Sequence, residues 1–231
     1  MLSAEIIAVG SELLTPEKTD TNSLWLTGKL NELGIEVMLK TVVGDDEARL
    51  EETLRDALKR SDIVITTGGL GPTEDDITRQ VSARAVGREL VYHAELEEEL
   101  RERFRRWGRE MPEINKRQAY VIDGAEILGN PNGSASGMML DLQPSEADAN
   151  ARVTPSGLNA PEGFTPKGVA LTSLVILPGP PRELKPMFED FVLSKLRERA
   201  GGVVVRRRLL RVSGMGESAV DEVIAPIYSS Y

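Results

Sequence analysis

Ile63-Val64-Ile65-Thr66-Thr67-Gly68-Gly69-Leu70-Gly71-Pro72-Thr73-Glu74-Asp75-Asp76 joins an apolar run to a glycine turn, a predicted helix start and an acidic pair. A strand that ends in glycines lets backbone N–H groups come close to a phosphate, and a following helix N-terminus adds partial positive charge. Gly68, Gly69 and Gly71, with Thr73, are therefore candidates to hold a phosphate. Asp75 and Asp76 would repel a bare anion, and a divalent cation shared between carboxylates and phosphate oxygens resolves that conflict. A short glycine run taken alone is better read as an ordinary strand-to-helix turn whose acids cap the helix, and similar signals in three other turns tip the balance.

Working outward, residues 4–9 form an apolar run ending in Gly10-Ser11-Glu12, and Leu24, Leu26, Leu30 and Leu33 follow at near-helical spacing. A second strand is predicted over 35–43, a helix over 47–60 with Leu50, Leu54 and Leu58 on one face, and a strand over 62–67. Such β-α-β-α-β alternation predicts an α/β fold with three layers, a mostly parallel sheet between helices, and ligand groups at the carboxyl ends of the strands. Helices are expected over 74–87 and 94–108, with helical structure extending through 113–120. The run 121–128 reads as a short strand, and 137–142 and 171–177 as paired strands. Between that pair, Gln143 to Gly168 is rich in Pro, Gly, Ser, Ala and Asn without hydrophobic period, and is expected to be an extended loop. Pro178-Gly179-Pro180-Pro181 opens a helix running to about Arg199, a strand is expected from Val203 to Val212, and one helix follows Gly214. The organisation expected is a domain over 1–200 and a short β-α appendage over 201–231.

Composition removes several chemistries. Zero cysteines exclude disulfides, thiol nucleophiles and cysteine-bound metal centres, while the single histidine, His93, leaves acid–base work to carboxylates, lysine or metal-activated water. A net charge of −9 argues against nucleic acid or an anionic membrane as partner, so an anionic substrate must be held locally. Met1 to Gly10 carries no basic leader and its apolar run is too short to span a bilayer, which makes a cytoplasmic protein the expectation.

Further turns carry compatible signals. Glu12 would reach the same sheet edge as Asp75 and Asp76 if the first and third strands are neighbours. Asp20 and Asn22 offer oxygen ligands or, as readily, a helix N-cap. Asn132, Gly133 and Ser134 lie in a tight loop that permits close approach to a sugar or phosphate, though Asn, Pro and Gly also make simple turns. Lys116 and Arg117 supply a local basic patch, and Pro178 and Gly179 a rigid pocket wall.

Together, Gly10-Ser11-Glu12-Leu13-Leu14, Thr67 to Asp76, Asn132 to Gly137 and Leu177-Pro178-Gly179-Pro180-Pro181 closely resemble the CinA family of competence- and damage-associated proteins, over about Ala4 to Arg199. The resemblance implies a molybdopterin-binding (MogA/MoaB-like) fold and a homodimer. It further implies cleavage of ADP-ribose to AMP and ribose 5-phosphate with Mg, Mn or Co. In that scheme Glu12, Asp75 and Asp76 hold the metal, with Asp75, Asp76 and Lys116 catalytic. The diphosphate and sugars lie against Gly68, Gly69, Gly71, Thr73, Arg117, Asn132, Gly133, Ser134, Pro178 and Gly179. The runner-up readings are adenylyl transfer to a pterin and a non-catalytic nucleotide-binding module. Residues 201–231 resemble the opening of the family's KH-like connecting segment, and its nicotinamide-nucleotide amidase domain is not expected here. Ser11 stands where the family usually has threonine, and Gln143 to Gly168 where it has a short turn.

Overall fold

Three mainly apolar strands, over 3–9, 63–67 and 172–177, are buried on both faces, as parallel strands covered by helices must be. The computed structural model describes residues 2–143, 171–202, 205 and 211–228. Strands β1 (Ser3–Val9), β2 (Glu36–Val43), β3 (Ile63–Thr67), β6 (Glu126–Leu128), β7 (Gly137–Leu142) and β8 (Thr172–Leu177) form a six-stranded sheet in the order β2-β1-β3-β8-β7-β6. The first four in that order run parallel; β7 is antiparallel to β8 and β6 to β7. Hence β1, β2, β3 and β8 all end at one edge, where β7 begins.

Helices cover both faces. α1 (Thr21–Glu32), α5 (Pro181–Met187), a π-helical turn at Phe188–Val192 and α6 (Leu193–Arg199) pack Leu26, Leu30, Leu184, Met187, Phe188 and Leu196 against Ile6, Ile65 and Val175. On the opposite face, α2 (Glu47–Arg60) and α3 (Thr78–Ala85) set Leu50, Leu54 and Val81 against Ile7, Val64 and Ile176. α4 (Ala94–Arg106) adds Leu96 there and carries the Glu97–Arg101 pair at helical spacing, with Glu97 buried. α7 (Glu217–Tyr228) leaves Val223, Ile224, Ile227 and Tyr228 exposed. No helix among the described residues is long and apolar enough to cross a membrane.

Three expectations need correction. The helix expected over 74–87 starts only at Thr78, because Glu74, Asp75 and Asp76 remain in the loop, where Asp76 bonds back to Thr73. The run 121–128 divides at Gly124, whose φ of +71° reverses the chain, so that β5 (Tyr120–Ile122) pairs with β4 (Leu90–Tyr92) while β6 joins the large sheet. Leu24 projects outward from α1 rather than into the core. The strand expected over 203–212 falls mostly outside the described residues, and 205, 211 and 212, which are described, are not in a strand; nearly all of the 143–168 segment also lies outside them.

At the opposite sheet edge, Glu5 is buried on β1 and accepts bonds from Arg60 Nε (2.6 Å), Arg60 Nη2 (2.7 Å) and Ser61 Oγ (2.7 Å). Removing the guanidinium leaves a buried carboxylate with one hydroxyl donor. Arg60→Met is thus expected to cost ~2 kcal/mol in urea unfolding, with ligand binding unchanged because the pair lies far from the carboxyl edge.

Candidate functional site

The carboxyl edge of the sheet opens into a cavity of about 1030 Å³. Its walls come from the exits of β1 (Gly10, Glu12), β2 (Asp45), β3 (Gly68 to Gly71) and β8 (Pro178 to Pro181), with Asp20, Asn22, Asp75, Asp76, Ser134 and Glu183 around them.

The glycine loop is fixed from behind by α3. Thr78 Oγ1 donates to Gly68 O (2.8 Å), Thr78 N–H to Gly69 O (3.1 Å), and Arg79 Nη2 to Leu70 O (3.0 Å). A trans peptide holds C=O and N–H in opposite directions, so three carbonyls turned toward α3 aim the N–H groups of Gly69, Leu70 and Gly71 away from it. All three residues line the cavity, and none of these N–H groups donates to a protein acceptor among the described residues. The loop is a nest of free amides. Its glycines are required: Gly68 has φ +105° and a Cβ there would lie 2.2 Å from Val9 O, while at Gly69 (φ +64°) it would lie 2.3 Å from Thr78 Oγ1.

Acids gather on the rim. Asp76 Oδ2 accepts from Thr73 N–H (2.9 Å) and Thr73 Oγ1 (2.5 Å), which latches the loop and lays the carboxylate against Gly71. Asp75 is exposed beside it, and Glu12 folds back over Gly10 from the adjacent β1 exit. Ser11 N–H donates to Asp45 Oδ2 (2.9 Å) and Asp45 N–H to Ser11 Oγ (2.9 Å), so the hydroxyl at position 11 clasps the β1 and β2 exits together. Among the described residues, no three His, Cys, Asp or Glu side chains stand close enough to form a metal cluster by themselves.

Asn22 ties three elements. Its Nδ2 donates to Thr67 Oγ1 (3.0 Å) and to Gly179 O (2.7 Å), and because a carbonyl only accepts, the amide orientation is fixed. Asp20, the other half of that motif, is the N-cap of α1 through Ser23 N–H (3.0 Å).

Several expected binding residues stand elsewhere. Lys116 does not line the cavity; it pairs with Glu113, and that bond holds its pKa above the ordinary lysine value, the wrong direction for a proton donor near neutrality. Arg117 grips the loop from outside, donating to Pro72 O (3.3 Å), Thr73 O (3.2 Å) and Glu74 Oε1 (2.9 Å). Thr73 is spent on Asp76, and Asn132 on Arg182 O (2.8 Å). Gly133 abuts the Glu183 carboxylate and does not line the cavity, which Ser134 and Ala135 of that loop do.

Sequence reasoning missed Glu183, a cavity carboxylate that accepts from Asn130 Nδ2 (2.8 Å); an acid in the first turn of α5 resembles ordinary capping. It also missed Arg79, which is 2% exposed. Burial pushes that guanidinium down to about 10, against the pull of Asp76 and with the help of Arg117, so it remains charged at neutral pH.

The family model for the "Probable molybdopterin binding domain" matches residues 5–198. A CinA-like protein of Solibacter usitatus is 47% identical over 230 residues, covering 100% of this chain and 49% of its own length. Another from Koribacter versatilis is 45% identical over 228 residues, covering 99% and 50%. The chain thus spans about half the length of these curated relatives. Among solved structures, the protein CinA from Thermoplasma acidophilum superposes with a TM-score of 0.64 at 24% identity, over 84% of this chain and 98% of that one, which speaks to the fold. By sequence, the chain belongs to the probable molybdopterin binding domain family, and over nearly its whole length it is similar to CinA-like proteins.

Proposed function

We propose that the chain hydrolyses the pyrophosphate bond of ADP-ribose, or a closely related nucleotide, at the carboxyl edge of its sheet. The observation that carries this reading is the set of three free amides, Gly69, Leu70 and Gly71, facing a cavity whose rim holds Asp75 and Asp76. Water adds to one phosphorus as the anhydride P–O bond breaks, giving AMP and ribose 5-phosphate. The amides bind the non-bridging oxygens and are already oriented before charge builds on them. Ser134 and the backbone at Gly179 border the sugar end of the cavity.

A divalent ion fits this donor set. Magnesium is ordinarily held by one or two carboxylates together with substrate phosphates and water, so Asp75 and Asp76, with Glu12 nearby, suffice when the diphosphate supplies the remaining oxygens. The ion contributes Lewis acidity, neutralising phosphoryl charge and acidifying water. Lys116 takes no part in the reading, and Arg117 acts by bracing the loop. A homodimer joined through the exposed face of α7, in the cytoplasm, completes it.

ADP-ribose incubated with the chain and Mg, Mn or Co should yield AMP and ribose 5-phosphate in equal amounts, and EDTA should stop the reaction. The molybdopterin-binding family assignment favours one competing reading, adenylyl transfer to a pterin, in which the pterin phosphate replaces water as acceptor. Pterin adenylylation without ADP-ribose cleavage would reverse the ranking, and tight nucleotide binding without turnover under every metal would leave a binding module.

A further inference from the structure

Arg79 is an expensive residue to bury. Its Nη2 donates to Leu70 O, its Nη1 is buried without a partner, and no carboxylate pairs with it among the described residues. Hydrophobic side chains of similar volume generally replace buried ions with no loss of stability, so packing does not account for a guanidinium here. Leu70 O has a second, neutral donor in Gln118 Nε2 at 3.4 Å, so satisfying that oxygen does not by itself call for a charge. What Arg79 alone supplies is a positive charge directly behind the peptide whose N–H faces the cavity.

We propose that Arg79 is a positioning residue for the amide nest, holding the Leu70–Gly71 peptide with its N–H outward and serving as the buried counter-charge of a phosphate bound in front of it. The inference rests on the reading that the nest binds a phosphate. The charged groups around Arg79 agree with such a balance. Asp76 lies on the rim side of the loop, and Arg117, spent on Glu74, adds a second positive charge. An arriving anion meets one cation behind the loop with no carboxylate bonded to it among the described residues, Arg79, while the charge of Arg117 is offset by Glu74.

The test compares Arg79→Gln, which can still donate to Leu70 O but carries no charge, with Arg79→Lys, which keeps the charge. Titration calorimetry with inorganic pyrophosphate and magnesium, with ADP-ribose, and with adenosine separates phosphate recognition from the rest. Arg79→Gln should bind pyrophosphate and ADP-ribose ~10-fold more weakly, the order expected of one unit charge acting across a peptide. Adenosine affinity and melting temperature should be no lower than in the unaltered chain. Arg79→Lys should recover affinity to within ~3-fold. Unchanged pyrophosphate binding in Arg79→Gln, or a Lys variant as weak as the Gln variant, overturns the proposal. Failure of the unaltered chain to bind pyrophosphate or ADP-ribose is a different result, and overturns the functional reading beneath it.

Discussion

Asp76→Asn is expected to slow ADP-ribose cleavage by at least ~100-fold, the loss typical of a group that positions or stabilises the reacting phosphoryl charge. The substitution is chosen for what it spares. Asp76 Oδ2 accepts from both Thr73 N–H and Thr73 Oγ1, and an asparagine oxygen can accept the same two bonds. The loop therefore stays latched while the negative charge that would attract a divalent ion disappears. Melting temperature should change little, KM for ADP-ribose moderately and kcat most of all. Turnover equal to that of the unaltered chain would remove Asp76 from the chemistry and leave it as a loop latch.

Gly68→Ala should be the most damaging single methyl group in the chain. At φ +105° an L-residue is strained by about 1–2 kcal/mol, and its Cβ would stand 2.2 Å from Val9 O, a backbone atom that cannot swing aside. Overpacking of that kind costs roughly 1–3 kcal/mol, so the expected loss is ~3 kcal/mol in urea unfolding. The loop must shift to survive, and Gly68 O would then lose its Thr78 bond, dispersing the amides downstream. ADP-ribose binding should fall below detection even where the variant folds. Full binding and full stability together would mean that the loop does not depend on this geometry.

The parallel core and its carboxyl-edge site were legible because their signals are local. Apolar strands, amphipathic helices such as α2 with Leu50 and Leu54, and glycines at strand exits all lie within a few residues of one another. Parallel pairing of β1 with β3 then brings Glu12 and the acidic pair to one cavity, as the alternation implied. The late start of α3 was not legible, since Thr73-Glu74-Asp75-Asp76 has the composition of a helix N-terminus and only the Asp76 bond to Thr73 spends it in a turn. Strands of three residues, β4, β5 and β6, are too short for alternation to register. The roles of Asn22, Arg117 and Glu183 depend on partners 43 to 157 positions distant, which no periodicity records. Arg79 was hidden for a related reason: an arginine on a polar-looking helix reads as solvated, yet α3 buries it against the glycine loop.

The central claim, that the loop amides grip the diphosphate, is tested most directly by amide NMR of the ¹⁵N-labelled chain titrated with ADP-ribose and magnesium. The N–H resonances of Gly69, Leu70 and Gly71 should move downfield together and saturate with the ligand, while those around the Glu5–Arg60 pair stay in place. Saturable binding that leaves these three resonances unmoved would contradict the account.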